Sequence, residues 1–192
     1  MKKILKDIKG LFFYIFGQVC AALYYDKKYL TGRWFQGSLN GALSSGWEWV
    51  VRDSIMNRKL GTNKGVPWPV SPHCRVIGPN NIIFHPDDID NFNTFGCYYQ
   101  AVGKISIGHG TCIAPNVGII TANHDKEDLG KHAPAKSVVI GENCWLGMNS
   151  IILPGVELGD RTIVGAGSIV TKSFPEGNCL IAGNPAKKIK DI

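Results

Sequence analysis

From Ile140 onward the chain places an aliphatic residue at every sixth position: Ile140, Leu146, Ile152, Leu158, Val164 and Val170. If Ile, Leu and Val fill about a quarter of positions, six in a row arises by chance roughly a few times in ten thousand. Two residues before each stands Val138, Cys144, Ser150, Val156, Thr162 or Ser168, all small or β-branched, and Gly follows at 141, 147, 159 and 165. Neither the 3.6-residue helical period nor the two-residue strand period produces this pattern. A coil of short strands joined by tight corners does. One aliphatic side chain per hexad points into a narrow prism, the small residue fits beside it, and Gly or Asn turns the corner. Three hexads close a triangular turn of about 18 residues, and turns stack at the usual sheet spacing of about 4.8 Å.

An earlier block carries its own, looser register: Ile77, Ile83, Ile89, Phe95, Ala101, Ile107, Ile113 and Ile119, with Asn81, Asp87, Asn93 and Tyr99 where small residues are expected. Its first coil is expected to be irregular. From Ile119 to Ile140 is 21 residues (140 − 119), which six does not divide. A loop over 120–138 must therefore leave the coil there. Ahead of the coils, Ser38 to Leu60 places Leu39, Leu43, Trp47, Val50, Val51 and Ile55 at helical spacing, and Gly61 stops the helix. The run GVPWPVSP is a stiff extended connector. The expected organisation is a helical cap and connector over 1–70 and a mainly β parallel helix over 71–192, closed by Pro175, the AGNPA turn and a short basic tail. A cap is what a solenoid needs over its open end.

The first residues carry Lys2, Lys3, Lys6 and Lys9, then an apolar run from Leu11 to Tyr25, then Lys27 and Lys28. A secretory signal has that outline, but Gly17 and Gln18 interrupt the run, which is rich in aromatic residues. The run is also shorter than the roughly 20 apolar residues of a spanning helix. A packed cap, or a segment in peripheral contact with the inner face of the membrane, remains, and the expected compartment is the cytoplasm.

The net charge of +6 favours an anionic partner. No helix-turn-helix, RNP, zinc-finger or KH pattern is present, so nucleic acid is not that partner; a phosphate-rich cofactor suits the charge. Six dispersed cysteines, Cys20, Cys74, Cys97, Cys112, Cys144 and Cys179, have no metal spacing and read as buried thiols in a reducing compartment. No metal site is expected. A hydratase-like ion held by His109, His124 and His132 lacks the short ligand spacing, and His73 beside Cys74 has no further ligands.

The loop after Ile119 holds His124 and His132, and a histidine near neutral pH is suited to taking a proton from a hydroxyl. The stretches ISIGHGTCIAPNVGIITANHD and VVIGENCWLGMNSIILPGVELGDRTIVGAGSIVTKSFPEGNCLIAGNPAKKIK resemble the hexapeptide-repeat acetyltransferases, in particular the galactoside, maltose and capsular polysaccharide O-acetyltransferases. The resemblance spans roughly residues 75–192. It implies a left-handed β-helix, a homotrimer, acetyl-CoA as donor and a sugar hydroxyl as acceptor. It also implies that His124, at a seam between subunits, acts as general base. For CoA it points to Asn93, with Asn91 as the alternative, and to Met148, Ala166, Thr171 and Lys172, largely through backbone. Lys187 and Lys190 stand where relatives have Arg near the cofactor phosphates, and Trp145 either walls the pantetheine channel or covers a prism face. Asp125 is the neighbour that could orient His124, although adjacent side chains seldom face each other, and His132 reads as a solvent-facing bystander. A non-catalytic sugar-binding scaffold, or an acetyltransferase acting on serine or an antibiotic, is the competing reading.

Overall fold

The computed structural model describes residues 2–36 and 44–192. Two helices lead, α1 (Lys2–Tyr24) and α2 (Ser45–Leu60). The first coils contain β1 (Arg75–Ile77), β2 (Ile82–Ile83), β3 (Tyr98–Gln100), β4 (Ile105–Ile107), β5 (Cys112–Ile113) and β6 (Gly118–Ile120). The later coils contain β7 (Val138–Ile140), β8 (Trp145–Leu146), β9 (Ile151–Ile152), β10 (Glu157–Leu158), β11 (Ile163–Val164) and β12 (Ile169–Val170). A hairpin of β13 (Cys179–Gly183) and β14 (Ala186–Asp191) ends the chain.

The strands fall on three faces, in the orders β1-β3-β6-β9-β12, β2-β4-β7-β10 and β5-β8-β11-β13-β14. All pairs are parallel except β13 with β14. In the later coils the repeat is 18 residues, as the pairs Ile151 with Ile169 and Trp145 with Ile163 show. This is the stacked triangular coil expected from the period, and the left-handed parallel β-helix that the resemblance implied.

The six aliphatic residues from Ile140 to Val170 are at most 1% exposed, and the small set from Val138 to Ser168 at most 2%. The corner glycines have a different task from the expected one. Gly141 and Gly147 have no positive φ; a Cβ on either would stand 2.6 Å from backbone of the next coil, so glycine permits the stacking itself. The left-handed corners are taken by Asn116, Asn143, Asn149, Arg161 and Asn178, and by other glycines, among them Gly110, Gly155, Gly167 and Gly177.

The register of the earlier block needs correction. Ile83 and Phe95 are exposed, while Val76, Ile82, Tyr99 and Ile105 fill the prism beside Ile89, Ala101 and Ile107. The cause is inserted residues. Between the first and second faces the step is 6 residues in a regular coil, from Ile151 to Glu157, whose partner on β7 is Val139. It is 8 from Arg75 to Ile83 and 8 from Tyr98 to Ser106, so two residues are extra in each. It is 21 from Gly118 to Val139, fifteen extra. All three insertions lie at one corner column. A 3-10 segment, Pro86–Asn93, makes the first coil irregular on its way to the third face.

α2 ends at Gly61, whose φ of 70° is the left-handed cap expected there. Trp47, Val50 and Val51 are buried as expected, but Ile55 faces outward at 56% exposure. The part of the expected helix bearing Leu39 and Leu43 lies outside the described residues. Gly17 does not interrupt α1: it lets the helix approach Trp47, whose ring a Cβ would meet at 2.8 Å. Aromatic contacts run from the cap into the prism, from Tyr29 to Trp68 and Phe84, then Phe92, then Tyr99. Helices and coils thus share one hydrophobic core. The basic tail is not a loose tail but β14, with Lys190 opposite Leu180 and Lys187 opposite Ala182. All six cysteines are free; four are buried, Cys20 is partly covered and Cys112, expected inside, is exposed.

Candidate active site

The fifteen-residue excursion is a narrow arm, not an irregular loop. Its two legs are laced by Lys136 N–H to Thr121 O, Ala133 N–H to Asn123 O and Asp125 N–H to Lys131 O, at 2.8, 3.0 and 2.9 Å. Its base is tied to the coil above: Thr121 Oγ1 donates to Gln100 O at 2.6 Å and accepts from Gly103 N–H at 2.9 Å. Gln100 Oε1 accepts from Ala122 N–H at 3.1 Å. At the tip, Asp125 Oδ1 accepts from Glu127 and Asp128 N–H groups at 2.8 and 3.2 Å, and Asp128 Oδ1 accepts from Gly130 N–H at 3.0 Å.

This tip turns the Leu129 carbonyl toward His124, whose Nδ1 lies 2.9 Å from it. A carbonyl oxygen only accepts, so Nδ1 is the donor, and in the neutral imidazole Nε2 then keeps its lone pair. That is the tautomer a general base needs. Asp125 orients His124 through the turn and not by direct contact. His132 is solvent-exposed as expected, and it lies opposite His124 on the other leg, with ring centroids 4.8 Å apart. Sequence reasoning missed Leu129 and the pairing of the two histidines. The signal was the Asp-Leu-Gly run midway between the two histidines, a hairpin turn that folds the second leg back on the first. A cleft beside His124 is walled by Asn123, Pro134, Lys136 and Pro154.

The other expected residues form a second group. Gly147 N–H bonds to Val164 O, Gly167 N–H to Met148 O and Gly165 N–H to Ile181 O, so Met148 and Ala166 stack on successive coils at the corner between the third and first faces. Both are exposed, as is Trp145 on the outer surface of the third face. Lys187 and Lys190 are exposed on β14 at the edge of that face. Asn93 closes the 3-10 segment that precedes the same corner; its Oδ1 accepts from Arg52 Nη2 at 2.6 Å, and its buried Nδ2 makes no hydrogen bond within the described residues. Asn91 is committed to structure, donating to Thr111 O and accepting from Ile113 N–H, both at 2.8 Å. Thr171 and Lys172, exposed after β12, stand instead on the insertion column, one coil beyond Pro154. Within one chain, then, His124 and the Met148–Ala166 stack occupy opposite edges of the first face.

The remaining histidines separate. His73 lies against Phe95, with ring centroids 5.0 Å apart. His109 Nδ1 is 3.0 Å from the buried Asp88 carboxylate, and its ring lies 4.1 Å from that of His85. His85, Asp87 and His109 each bring one donor atom within 4.8 Å of the others. Arg33 already sets a cation beside this group, donating from its backbone N–H to Asp87 Oδ1 at 2.7 Å and from Nε to Asp87 O at 3.1 Å. The set His109, His124 and His132 is not assembled.

A prism of stacked hexads with a histidine arm at one corner defines a hexapeptide-repeat transferase, and comparison with known proteins agrees. The family model "Bacterial transferase hexapeptide (six repeats)" matches residues 137–172. The galactoside O-acetyltransferase of Escherichia coli is 32% identical over 182 residues, 93% of this chain and 85% of that protein. A putative acetyltransferase of Dictyostelium discoideum is 42% identical over 170 residues, 87% of each chain. Among solved structures, an N-acyltransferase from Bacillus cereus superposes with a TM-score of 0.51 at 18% identity, covering 64% of this chain and 79% of that one; this likeness concerns the fold alone. The chain belongs to the hexapeptide-repeat acetyltransferase family.

Proposed function

We propose that the protein is an O-acetyltransferase that moves the acetyl group of acetyl-CoA to a hydroxyl of a sugar or surface-polysaccharide precursor, with His124 as general base. The observation that carries the reading is the Leu129 carbonyl on His124 Nδ1, which leaves Nε2 as a proton acceptor beside an open cleft. In this mechanism Nε2 takes the acceptor's hydroxyl proton as its oxygen attacks the thioester carbonyl. The tetrahedral oxyanion collapses and expels the CoA thiolate, which recovers the proton from the imidazolium, so no acyl-enzyme forms.

The donor side is the Met148–Ala166 stack, offering backbone groups, with Trp145 along the pantetheine, Asn93 through its free amide donor, and Lys187 and Lys190 toward the phosphates; Thr171 and Lys172, on the insertion column, reach the cofactor from the subunit that supplies His124. Lysine serves there as a point charge without the bidentate fork of arginine. Because the base and this stack lie on opposite edges of one face, one chain does not complete the site. A homotrimer, in which the arm of one subunit meets the donor stack of its neighbour, does. Residues 71–192 form the catalytic unit and 1–70 the cap. The cytoplasm, where acetyl-CoA is made, is the compartment this reading requires, and any contact with the inner membrane face falls to the cap.

The test is His124→Ala. Acetyl transfer to a sugar acceptor is expected to fall about 10²- to 10⁴-fold, with CoA binding by calorimetry and trimer mass by sedimentation unchanged. Unaltered turnover would remove His124 from the chemistry.

A further inference from the structure

α1 is covered on one side only. Toward the protein it sets Gly17 and Tyr14 against Trp47, buries Ala21, and pairs Lys9 with Glu48 at 3.2 Å. On its outer side Ile8, Leu11, Phe12, Ile15, Phe16 and Val19, with Leu23, are each 48–63% exposed. At 100° per residue they fall within an arc of about 140°, and no charged position of the helix falls in that arc. A continuous apolar strip of this length is rare on a surface that meets only water.

The charge around the strip identifies its occupant. The first 30 residues contain six lysines, Lys2, Lys3, Lys6, Lys9, Lys27 and Lys28, against two aspartates, Asp7 and Asp26. The lysines stand at both ends of the strip. A second copy of this face, laid parallel or antiparallel, would bring lysine against lysine; anionic headgroups flanking an apolar layer would not. Beside Leu23 a cleft opens that is also lined by Tyr24, Arg58 and Lys64, and the Arg58 guanidinium sits 3.3 Å over the Tyr24 ring. It offers two cations at the level where the strip meets the surface. Among the described residues no helix is long and apolar enough to cross a membrane, so the strip lies along a bilayer and does not span it.

We infer that the outer face of α1 is a docking surface for an anionic lipid bilayer, with the Arg58–Lys64 cleft receiving lipid phosphate. The inference goes beyond acetyl transfer and stands independently of it. The test is flotation of the full chain with phosphatidylcholine vesicles, with and without phosphatidylglycerol. The chain is expected to float with the anionic vesicles and to remain largely below with the neutral ones. Ile15→Glu/Val19→Glu, which leaves the packed side of α1 intact, is expected to lower partitioning at least about tenfold. Arg58→Ala/Lys64→Ala is expected to weaken the preference for phosphatidylglycerol. Circular dichroism and sedimentation verify that the variants keep their fold and assembly, and His124→Ala should float like the parent, which separates this test from that of catalysis. Failure of the parent to float would overturn the proposal, as would unchanged flotation of Ile15→Glu/Val19→Glu. A parent that stays below while that variant loses its subunit assembly would assign the face to a neighbouring copy instead.

Discussion

Replacing Asp125 with alanine should slow acetyl transfer without touching the base. The carboxylate accepts two backbone hydrogen bonds, from Glu127 at 2.8 Å and Asp128 at 3.2 Å, and these shape the turn that brings the Leu129 carbonyl to His124. Hydrogen bonds to a charged acceptor contribute about 1.5–3 kcal/mol when shielded, and less at a half-buried position such as this. Losing the pair should destabilise the closed turn by about 1–2 kcal/mol. If the open turn then competes with the closed one, the fraction of His124 held in the productive tautomer drops, and kcat falls about 5- to 30-fold at 1.4 kcal/mol per decade. KM for the donor should move little, because the proposed Met148–Ala166 donor stack lies on another corner. Asp125→Asn retains one acceptor oxygen and should recover most of the rate. Steady-state kinetics checks this: the alanine variant should lose kcat while keeping its KM for the donor. Full activity in Asp125→Ala, or equal losses in Ala and Asn, would refute the positioning argument.

Ile152, fully buried, and its neighbour Ile151, on the outer side of the same strand, test the register. Ile152→Ala should cost about 2–5 kcal/mol in urea unfolding at fixed protomer concentration, whereas Ile151→Ala should cost under about 1 kcal/mol. Asp53 is buried beside Arg52, with one carboxylate oxygen unpaired, and burial raises its pKa above the ordinary value. The native state therefore holds that proton more tightly than the unfolded chain, and the penalty for ionised Asp53 is present above the raised folded pKa and fades as pH falls toward the unfolded value of about 3.9. Asp53→Asn should accordingly raise the melting temperature at neutral pH and give no gain in acid. Gly147→Ala should destabilise strongly, since its Cβ would stand 2.6 Å from Ala166 N; a melting temperature within a degree or so of the parent would argue against close stacking at that corner.

The later coils were legible in the sequence because every level agreed there: aliphatic, small and corner positions recur without interruption from Ile140 to Val170. The earlier coils were not, because a two-residue insertion moves the inward side chain. Ile83 lost its place to Ile82, and Phe95 gave way to an interior filled by Phe92 and Tyr99. Periodicity counts residues along the chain, whereas burial follows pairing with the coil below, and the two agree only while each step is six. For the site, histidine chemistry offered His124 and His132 alike and the resemblance singled out His124, but the partner of His124 is a main-chain carbonyl that no residue type announces. The pairing of the two histidines was legible only once the arm was seen to double back. The expected donor residues followed from resemblance, and the structure groups Met148, Ala166, Trp145, Lys187 and Lys190 around one face while setting Thr171 and Lys172 at the insertion corner.

Every departure from the six-residue step between the first and second faces, of two, two and fifteen residues, falls on the same corner. The strands on either side are fixed by hydrogen bonds to the coils above and below, so a longer or shorter segment at that column changes what projects into solvent and leaves the stack unmoved. Between the irregular first coil, which adds three residues from Ile83 to Tyr98, and the closing turn, variation in length is thereby gathered at one edge. What projects there can change while the Met148–Ala166 corner keeps its shape.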